Sequence, residues 1–307
     1  MKTKTELRMV RTNCHSFILC FLLFINGIAK GQQAQPIIRF GVIADIQYAE
    51  KEDHGSRFYR NSIEKMDSCI IGLNKKKLAF NVVFGDLVDQ GPKDLKPIMA
   101  HLRKLRAGYK NVLGNHDYVD VKDKEMLYKQ FDMPAPHYVF EKANWMFIVL
   151  NTNEVSEYGA NENSPFLKEW RDLSATLKRE GRKNSLPWNG GISSIQLNWL
   201  ENNLKRAQNK QKNVLVFTHH PLYPENGYEA LNNREILRVL EMYPNVKGVI
   251  SGHHHEGNFA YYNKIPSIVL EGMVETSKEN AYGVVELYPN KIVLIGHGRM
   301  TSRTLDF

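Results

Sequence analysis

Three observations predict an α/β fold with a mixed sheet in a single domain. Short apolar runs, mostly β-branched or aromatic, alternate along the chain with segments whose apolar residues recur at three and four spacing. Each apolar run ends in a polar cluster, as a buried strand does where it leaves a sheet. Near the C-terminus three strand-like runs follow one another, with Pro289-Asn290 as the turn between the last two, which points to an antiparallel finish.

In chain order, the runs expected as strands are residues 37–44 (IIRFGVIA), 80–84 (FNVVF), 145–151, 214–218 and 246–251, then 268–270, 282–288 and 291–296. Helical periodicity marks residues 57–77, 94–106, 193–208 and 230–242. Residues 154–189 are polar and rich in helix formers, and read as an insertion carried on the domain. There is no internal repeat, low-complexity tract or linker, so residues 36–307 are expected to form one domain.

The chain has 307 residues, 42% of them hydrophobic and 24% charged, which excludes disordered, collagenous and disulfide-scaffold classes. Lys and Arg (41) exceed Asp and Glu (33), but Lys2, Lys4, Arg8, Arg11 and Lys30 fall in the first 31 residues beside Glu6 alone. The remaining imbalance is too small to attract a nucleic-acid polymer or an acidic membrane by bulk charge, so an anionic substrate must be held locally. The basic N-terminus leads into an apolar run over residues 17–25 and then Ala29-Lys30-Gly31, so residues 1–31 are expected to be a cleaved export signal. That run is shorter than a membrane helix needs. A periplasmic or secreted protein follows, without a stable membrane anchor after cleavage. Cys14 and Cys20 lie in the signal, so Cys69 is left without a disulfide partner and is expected to be a small core residue.

Metal-type residues come immediately after the apolar runs. Asp45 and Gln47 follow the first, Asp86 and Asp89 the second, Asn115, His116 and Asp117 follow Val112-Leu113, His219 and His220 follow the run at 214–218, and His253, His254 and His255 follow the run at 246–251. The carboxyl ends of strands in open α/β sheets border the ligand crevice, so these five loops should converge. Singly each is a turn or a satisfied histidine; together they would bury several Asp and His side chains at high cost unless cations neutralise them. The set therefore reads as a two-metal site. Oxygen and imidazole ligands without thiolate suit Mn²⁺, Mg²⁺, Fe²⁺ or Zn²⁺ in a catalytic role. Paired cations of this kind serve displacement at phosphorus, which makes the chain a candidate phosphate ester or anhydride hydrolase.

In this order the motifs resemble the calcineurin-like metallophosphoesterases, whose signature runs D-x-H, G-D-x-x-D, G-N-H-D/E, G-H-x-P-like and G-H-x-H. Gln47 departs from the superfamily, standing where most members have histidine. With residues 40–48 (FGVIADIQY), 57–62 (RFYRNS), 189–200 (NGGISSIQLNWL), 270–276 (LEGMVET) and 296–306 (GHGRMTSRTLD), the chain resembles the manganese-dependent ADP-ribose/CDP-alcohol diphosphatases, in which that Gln is expected.

The resemblance implies a mixed β-sheet sandwich flanked by helices in α-β-β-α layers, and two divalent cations with Mn²⁺ favoured. It implies Asp45, Gln47 and His255 at one metal, Asn115, His219 and His253 at the other, and Asp86 bridging. His116 would be the general acid, oriented by Asp89 or Asp117. Arg57 and Arg60 are candidates for holding phosphate, and Asn189-Gly190 for bringing backbone close to the substrate. His254 and His220 are expected to stay off the metals. The implied reaction splits a nucleoside diphosphate-linked small molecule, of the ADP-ribose or CDP-choline type, into a nucleoside monophosphate and a phosphorylated sugar or alcohol. A phosphodiesterase or phosphomonoesterase would use the same ligands, and a scaffold that had lost the chemistry would show broken motifs. Beside the first metal motif, the loop at residues 50–56 is shorter than the resemblance to the family's animal members implies, which leaves nucleobase recognition without an evident carrier. No obligate protein partner is expected.

Overall fold

A computed structural model describes residue 1 and residues 35–307, of which Gln35–Phe307 form one compact unit. The expected signal at residues 1–31, with Cys14 and Cys20, lies outside the described residues. Among those described, no helix is long and apolar enough to cross a membrane.

The unit holds two six-stranded mixed sheets. The first takes β1 (Ile38–Ile43), β2 (Phe80–Phe84), β3 (Lys110–Val112), β10 (Ala281–Leu287), β11 (Lys291–Gly298) and β12 (Arg303–Asp306) in the order β12-β11-β10-β1-β2-β3. The second takes β4 (Tyr138–Lys142), β5 (Trp145–Val149), β6 (Asn213–Phe217), β7 (Val246–Ser251), β8 (Asn258–Tyr262) and β9 (Ile265–Val269) in the order β4-β5-β6-β7-β9-β8. In the first sheet β1, β2 and β3 are parallel and end at the β3 edge, while β10, β11 and β12 continue it antiparallel on the other side of β1; in the second, the parallel run β5-β6-β7-β9 is flanked by antiparallel β4 and β8.

The sheets meet face to face through aromatic side chains. Between the sheets Phe40 meets Phe147 edge-on with centroids 5.9 Å apart and Phe84 meets Phe217 edge-on at 5.2 Å, while Phe40 stacks on its strand neighbour Phe80 at 4.9 Å. Such pairs add about 0.5–1.5 kcal/mol beyond the burial of their area. On the outer face of the first sheet, α1 (Ser62–Asn74) and α2 (Leu95–Leu102) bury Met66, Cys69, Ile70, Leu73, Ile98 and Met99 in that core. On the second, α5 (Ser194–Asn209) and α6 (Asn233–Glu241) bury Leu200, Leu204, Ile236 and Leu237 in a separate core. Four layers result, as the resemblance implied, and Cys69 is the buried core residue expected of it.

Several boundaries differ from the expectation. The helix expected from residue 57 begins at Ser62, because residues 54–59 are tied elsewhere: Phe58 N–H donates to the Val274 carbonyl, and Arg57 N–H to that of His54. That keeps Arg57 at the rim of the site. Edge strands β4 and β8 carry half-exposed residues with little alternation, so their pattern is weak. A short α3 (Lys124–Gln130) follows β3, and the insertion holds α4 (Pro165–Arg179), started by a Ser164 hydroxyl that accepts from the Leu167 N–H, with Pro165 at the first helical position. The two ends of the insertion are joined by an isolated antiparallel bridge between Val155 and Gly191, outside both sheets.

Candidate metal centre

Strands β1, β2, β3, β6 and β7 end at one edge, and the five loops that follow them converge there. The loops are stapled to one another: Asp45 N–H donates to the Gly85 carbonyl, Gln47 N–H to that of Asp86, and His253 N–H to the Asp45 carboxylate at 3.0 Å. Asp117 accepts from the backbone N–H groups of Leu87, Val88 and Gly114, tying the second loop to the third. Four of the converging residues, Asp45, Gln47, Asp86 and His253, have left-handed backbone with φ of 51°, 44°, 50° and 71°. Non-glycine residues rarely adopt that region.

Space is cut equally close. A Cβ on Gly114 would sit 2.1 Å from the Asp86 carboxylate. Gly85 has φ of 89°, and a Cβ there would sit 2.3 Å from His219 Nδ1. Only glycine at these positions lets the two loops approach.

Each histidine is held by one ring nitrogen, leaving the other free. His219 Nδ1 donates to the Phe84 carbonyl at 2.8 Å, so Nε2 faces the cluster. His253 Nε2 lies 2.9 Å from Asn189 Oδ1, whose own NH₂ donates to the carbonyls of Asn184 and Gly227, so Nδ1 faces inward. His255 Nδ1 lies 2.7 Å from the Glu275 carboxylate, and Nε2 points at Asp45 Oδ1, 3.6 Å away. His116 Nδ1 is 3.0 Å from the Asp89 carbonyl and 3.2 Å from its carboxylate, leaving Nε2 toward the cavity. A histidine that ligates a metal is typically fixed in this way through its second nitrogen.

The inward atoms are acceptors that face acceptors. His219 Nε2 lies 3.1 Å from His253 Nδ1, 3.2 Å from Asn115 Oδ1 and 3.4 Å from the Asp86 carboxylate. Gln47 Nε2 donates to Asp86 at 3.1 Å, and Gln47 Oε1 is buried with no donor at all. Lone pairs opposed in a buried space are costly unless a cation lies among them. Asp45, Asp86 and His255 form one close group, and His219, His220 and His253 a second, in which Thr152 and the Trp188 carbonyl take up both ring nitrogens of His220. The residues present therefore fit two divalent cations of oxygen- and nitrogen-binding type.

Electrostatics agree. Burial alone would raise Asp86, yet the nearby charge of His219 and His116 holds it well below the usual carboxylate range. Burial would lower His219, and the Asp86 carboxylate instead raises it to about 9. Asp45 is raised by burial. The negative field that raises His219 would likewise favour a divalent cation among these side chains.

Residues 38–257 match the family of calcineurin-like phosphoesterases. The chain is a calcineurin-like phosphoesterase. It is 27% identical to a rice (Oryza sativa subsp. japonica) protein named manganese-dependent ADP-ribose/CDP-alcohol diphosphatase, over 92% of this chain and 98% of that one. A human protein of the same name is also 27% identical, over 92% and 96% of the two chains. Among solved structures, a dimetal phosphatase from Danio rerio superposes with a TM-score of 0.80 at 27% identity, covering 89% of this chain and all of that one.

The phosphoesterase brings together every residue expected at the metals: Asp45, Gln47, Asp86, Asn115, His219, His253 and His255. His254 stays off the cluster and stacks on Tyr228 at 4.2 Å, although the left-handed turn at His253, rather than strand alternation, is what rotates it away. His220 lies fully buried behind the cluster rather than on the cavity wall, with Nδ1 at the Thr152 hydroxyl and Nε2 at the Trp188 carbonyl; burial pushes it down to about 3, so it stays neutral.

Four expectations need correction. Asp89, and not Asp117, orients His116, because the Asp117 carboxylate is taken up by three backbone N–H groups. Arg60 does not face the cavity; it is exposed and pairs with Glu50 at 3.3 Å and Glu52 at 2.9 Å. Asn189 holds His253 rather than substrate. Gly190 is buried under close packing, where a Cβ would sit 2.3 Å from the Thr152 carbonyl.

Sequence reasoning left Glu275 without a role. Its place in LEGMVET hints at importance, but its partner His255 is brought to it only by folding. Burial and the positive charge of Arg299 push Lys65, on α1, down to about 8; it donates to the carbonyls of Met273, Glu275 and Thr276. Arg299 donates to that of Gly272 at 2.8 Å. These two basic residues hold the segment that carries Glu275.

Above the cluster opens a cavity of about 370 Å³ whose walls include Arg57, His116, Trp188 and Tyr228. A larger cavity of about 700 Å³, lined by Tyr243, Lys247, Tyr261 and Phe307, shares no residue with the cluster.

Proposed function

We propose that the protein is a dinuclear-metal diphosphatase, cleaving nucleoside diphosphate-linked small molecules of the ADP-ribose or CDP-alcohol type to a nucleoside monophosphate and a phosphorylated sugar or alcohol. The observation that carries this reading is the buried set of mutually facing acceptors around Asp86, in a chain similar over most of its length to diphosphatases of that name. Asp45, Gln47 and His255 would hold one cation, Asn115, His219 and His253 the other, and Asp86 both. Manganese is favoured, since the amide oxygen of Gln47 in place of an imidazole hardens the first site. When bound, the pair supplies Lewis-acid stabilisation of phosphate charge and activates water near neutrality.

The remaining steps belong to this chain's side chains. His116 Nε2 opens on the cavity, and Asp89 fixes the ring through Nδ1, so Nε2 is the atom that passes a proton to the leaving oxygen. Arg57 lies on the wall with its Nε 3.8 Å from Glu275, and its remaining donors fit non-bridging phosphate oxygens. Export to the periplasm or beyond is part of the proposal. It is supported by the basic and apolar pattern of residues 1–31 and is checked by N-terminal sequencing of the mature protein.

The test is a hydrolysis panel on the Mn²⁺-loaded protein with ADP-ribose, CDP-choline, a cyclic nucleotide, a simple diester and a simple monoester. Preference for the first two is expected. Preference for any of the other three would replace the diphosphatase reading by a phosphodiesterase or phosphomonoesterase one, and no turnover on any would restore the scaffold reading.

A further inference from the structure

Two large aromatic side chains stand open beside the cluster, and the fold goes to some length to keep them there. Trp188 is 45% exposed and Tyr228 is 37% exposed, whereas Trp145 in the sandwich core is fully buried. Both open rings line the 370 Å³ cavity that also takes in Asp86 and His116. Leaving such area in water forfeits burial energy, and ligand sites are where exposed aromatic surface of this kind is kept.

Their mounts are rigid and polar. The Trp188 carbonyl accepts from Tyr158 Oη at 3.3 Å and lies 3.1 Å from His220 Nε2. The next residue is Asn189, fully buried, whose side chain reaches His253 on one side and the Gly227 carbonyl, next to Tyr228, on the other. The Tyr228 ring lies nearly parallel to His254, with planes 17° apart, so one face is backed. Asn189 therefore sets both aromatic residues in fixed relation to a metal-facing histidine. The loop at residues 50–56 contributes no residue to the lining of this cavity; its Lys51 pairs with Asp89, and its Glu50 and Glu52 pair with Arg60.

We propose that Trp188 and Tyr228 form the platform on which the nucleobase of the substrate stacks, with the diphosphate thereby laid across the cluster toward Arg57. The proposal rests on the diphosphatase reading for its substrate class, but the binding it asserts can be measured without turnover. Stacking tolerates any base because every base has a π face, so adenine and cytosine are both accepted and a sugar phosphate without a base is not.

The experiment is calorimetric titration of the Mn²⁺-loaded full chain with AMP, CMP and ribose 5-phosphate, for the wild type, Trp188→Ala, Trp188→Phe and Tyr228→Ala, with ADP-ribose kinetics alongside. AMP and CMP should bind the wild type on the order of tenfold or more tightly than ribose 5-phosphate. Trp188→Ala should erase most of that difference and leave ribose 5-phosphate unchanged, Trp188→Phe should restore it, and Tyr228→Ala should fall between. ADP-ribose KM should rise with kcat little altered in Trp188→Ala. Equal binding of AMP and ribose 5-phosphate by the wild type, or equal weakening of both by Trp188→Ala, would overturn the platform. Base-dependent binding with no diphosphate hydrolysis would instead overturn the diphosphatase reading and leave the platform standing.

Discussion

Asp45, Gln47, Asp86 and His253 each sit in left-handed backbone, at a cost of about 1–2 kcal/mol apiece that the apposed loops must offset. What that strain secures is direction: the side chains leave the strand ends inward, with their acceptors together. Removing the shared carboxylate should therefore remove the site. Asp86→Ala is expected to bind neither cation tightly and to lose activity, read by metal titration and by turnover. His116→Ala should keep both cations and lose kcat by about 10² to 10⁴, and unchanged turnover would refute its role in proton transfer. Glu275 acts one step further out, through His255 Nδ1, whose hydrogen bond lowers Glu275 to about 2. Glu275→Ala should weaken one cation by about 10- to 100-fold and spare the other, while Glu275→Gln, which keeps an acceptor oxygen, should recover most of the loss. The candidate ligands were legible because each stands in a loop directly after a strand. Their partners were not: Glu275, Asn189 and the Phe84 carbonyl meet His255, His253 and His219 through tertiary packing, and no spacing in the chain encodes those three contacts.

At the level of elements, the central strands were readable because burial on both faces makes them continuous apolar runs, as in β2 and β5. Edge strands β4 and β8 escaped notice because a half-exposed edge need not alternate, and α1 was expected five residues too early because Arg57 and Phe58 follow helical spacing but are bound to the strand-end loops instead. The start of α6 has a feature that pH can probe. Glu225 takes a bidentate pair from Arg234, both contacts at 2.7 Å, and the Asn233 amide at 3.3 Å. The Arg234 hydrogen bonds lower Glu225 from 4.5 to about 2. Its folded value is depressed, so its stabilisation is fully present above pH 4.5 and is lost as pH falls toward 2. Glu225→Gln should cost about 1–2 kcal/mol at pH 7 after allowance for solvent screening, and the gap from wild type should shrink by about half or more at pH 3. Urea midpoints at the two pH values check this; a gap that does not narrow would assign the cost to packing.

Across the whole molecule, cations that bind only the folded chain add stability by mass action, about 2.7 kcal/mol at a hundredfold excess over Kd. For the Gln35–Phe307 unit that corresponds to a rise in Tm of about 5 °C for one cation and about 10 °C for two, reversed by a chelator and absent in Asp86→Ala. Scanning calorimetry reads it directly, and an identical Tm with and without Mn²⁺ would count against a cluster poised for cations.

The order of strands in the first sheet governs how the chain reaches this state. β1, near the start of the unit, pairs on one side with β2 and on the other with β10, whose residues lie more than two hundred positions later. A chain still emerging from the ribosome therefore carries an open hydrogen-bonding edge on β1 until its last few dozen residues arrive, and it closes late and slowly. Truncation before β10 should yield aggregates rather than a smaller working enzyme.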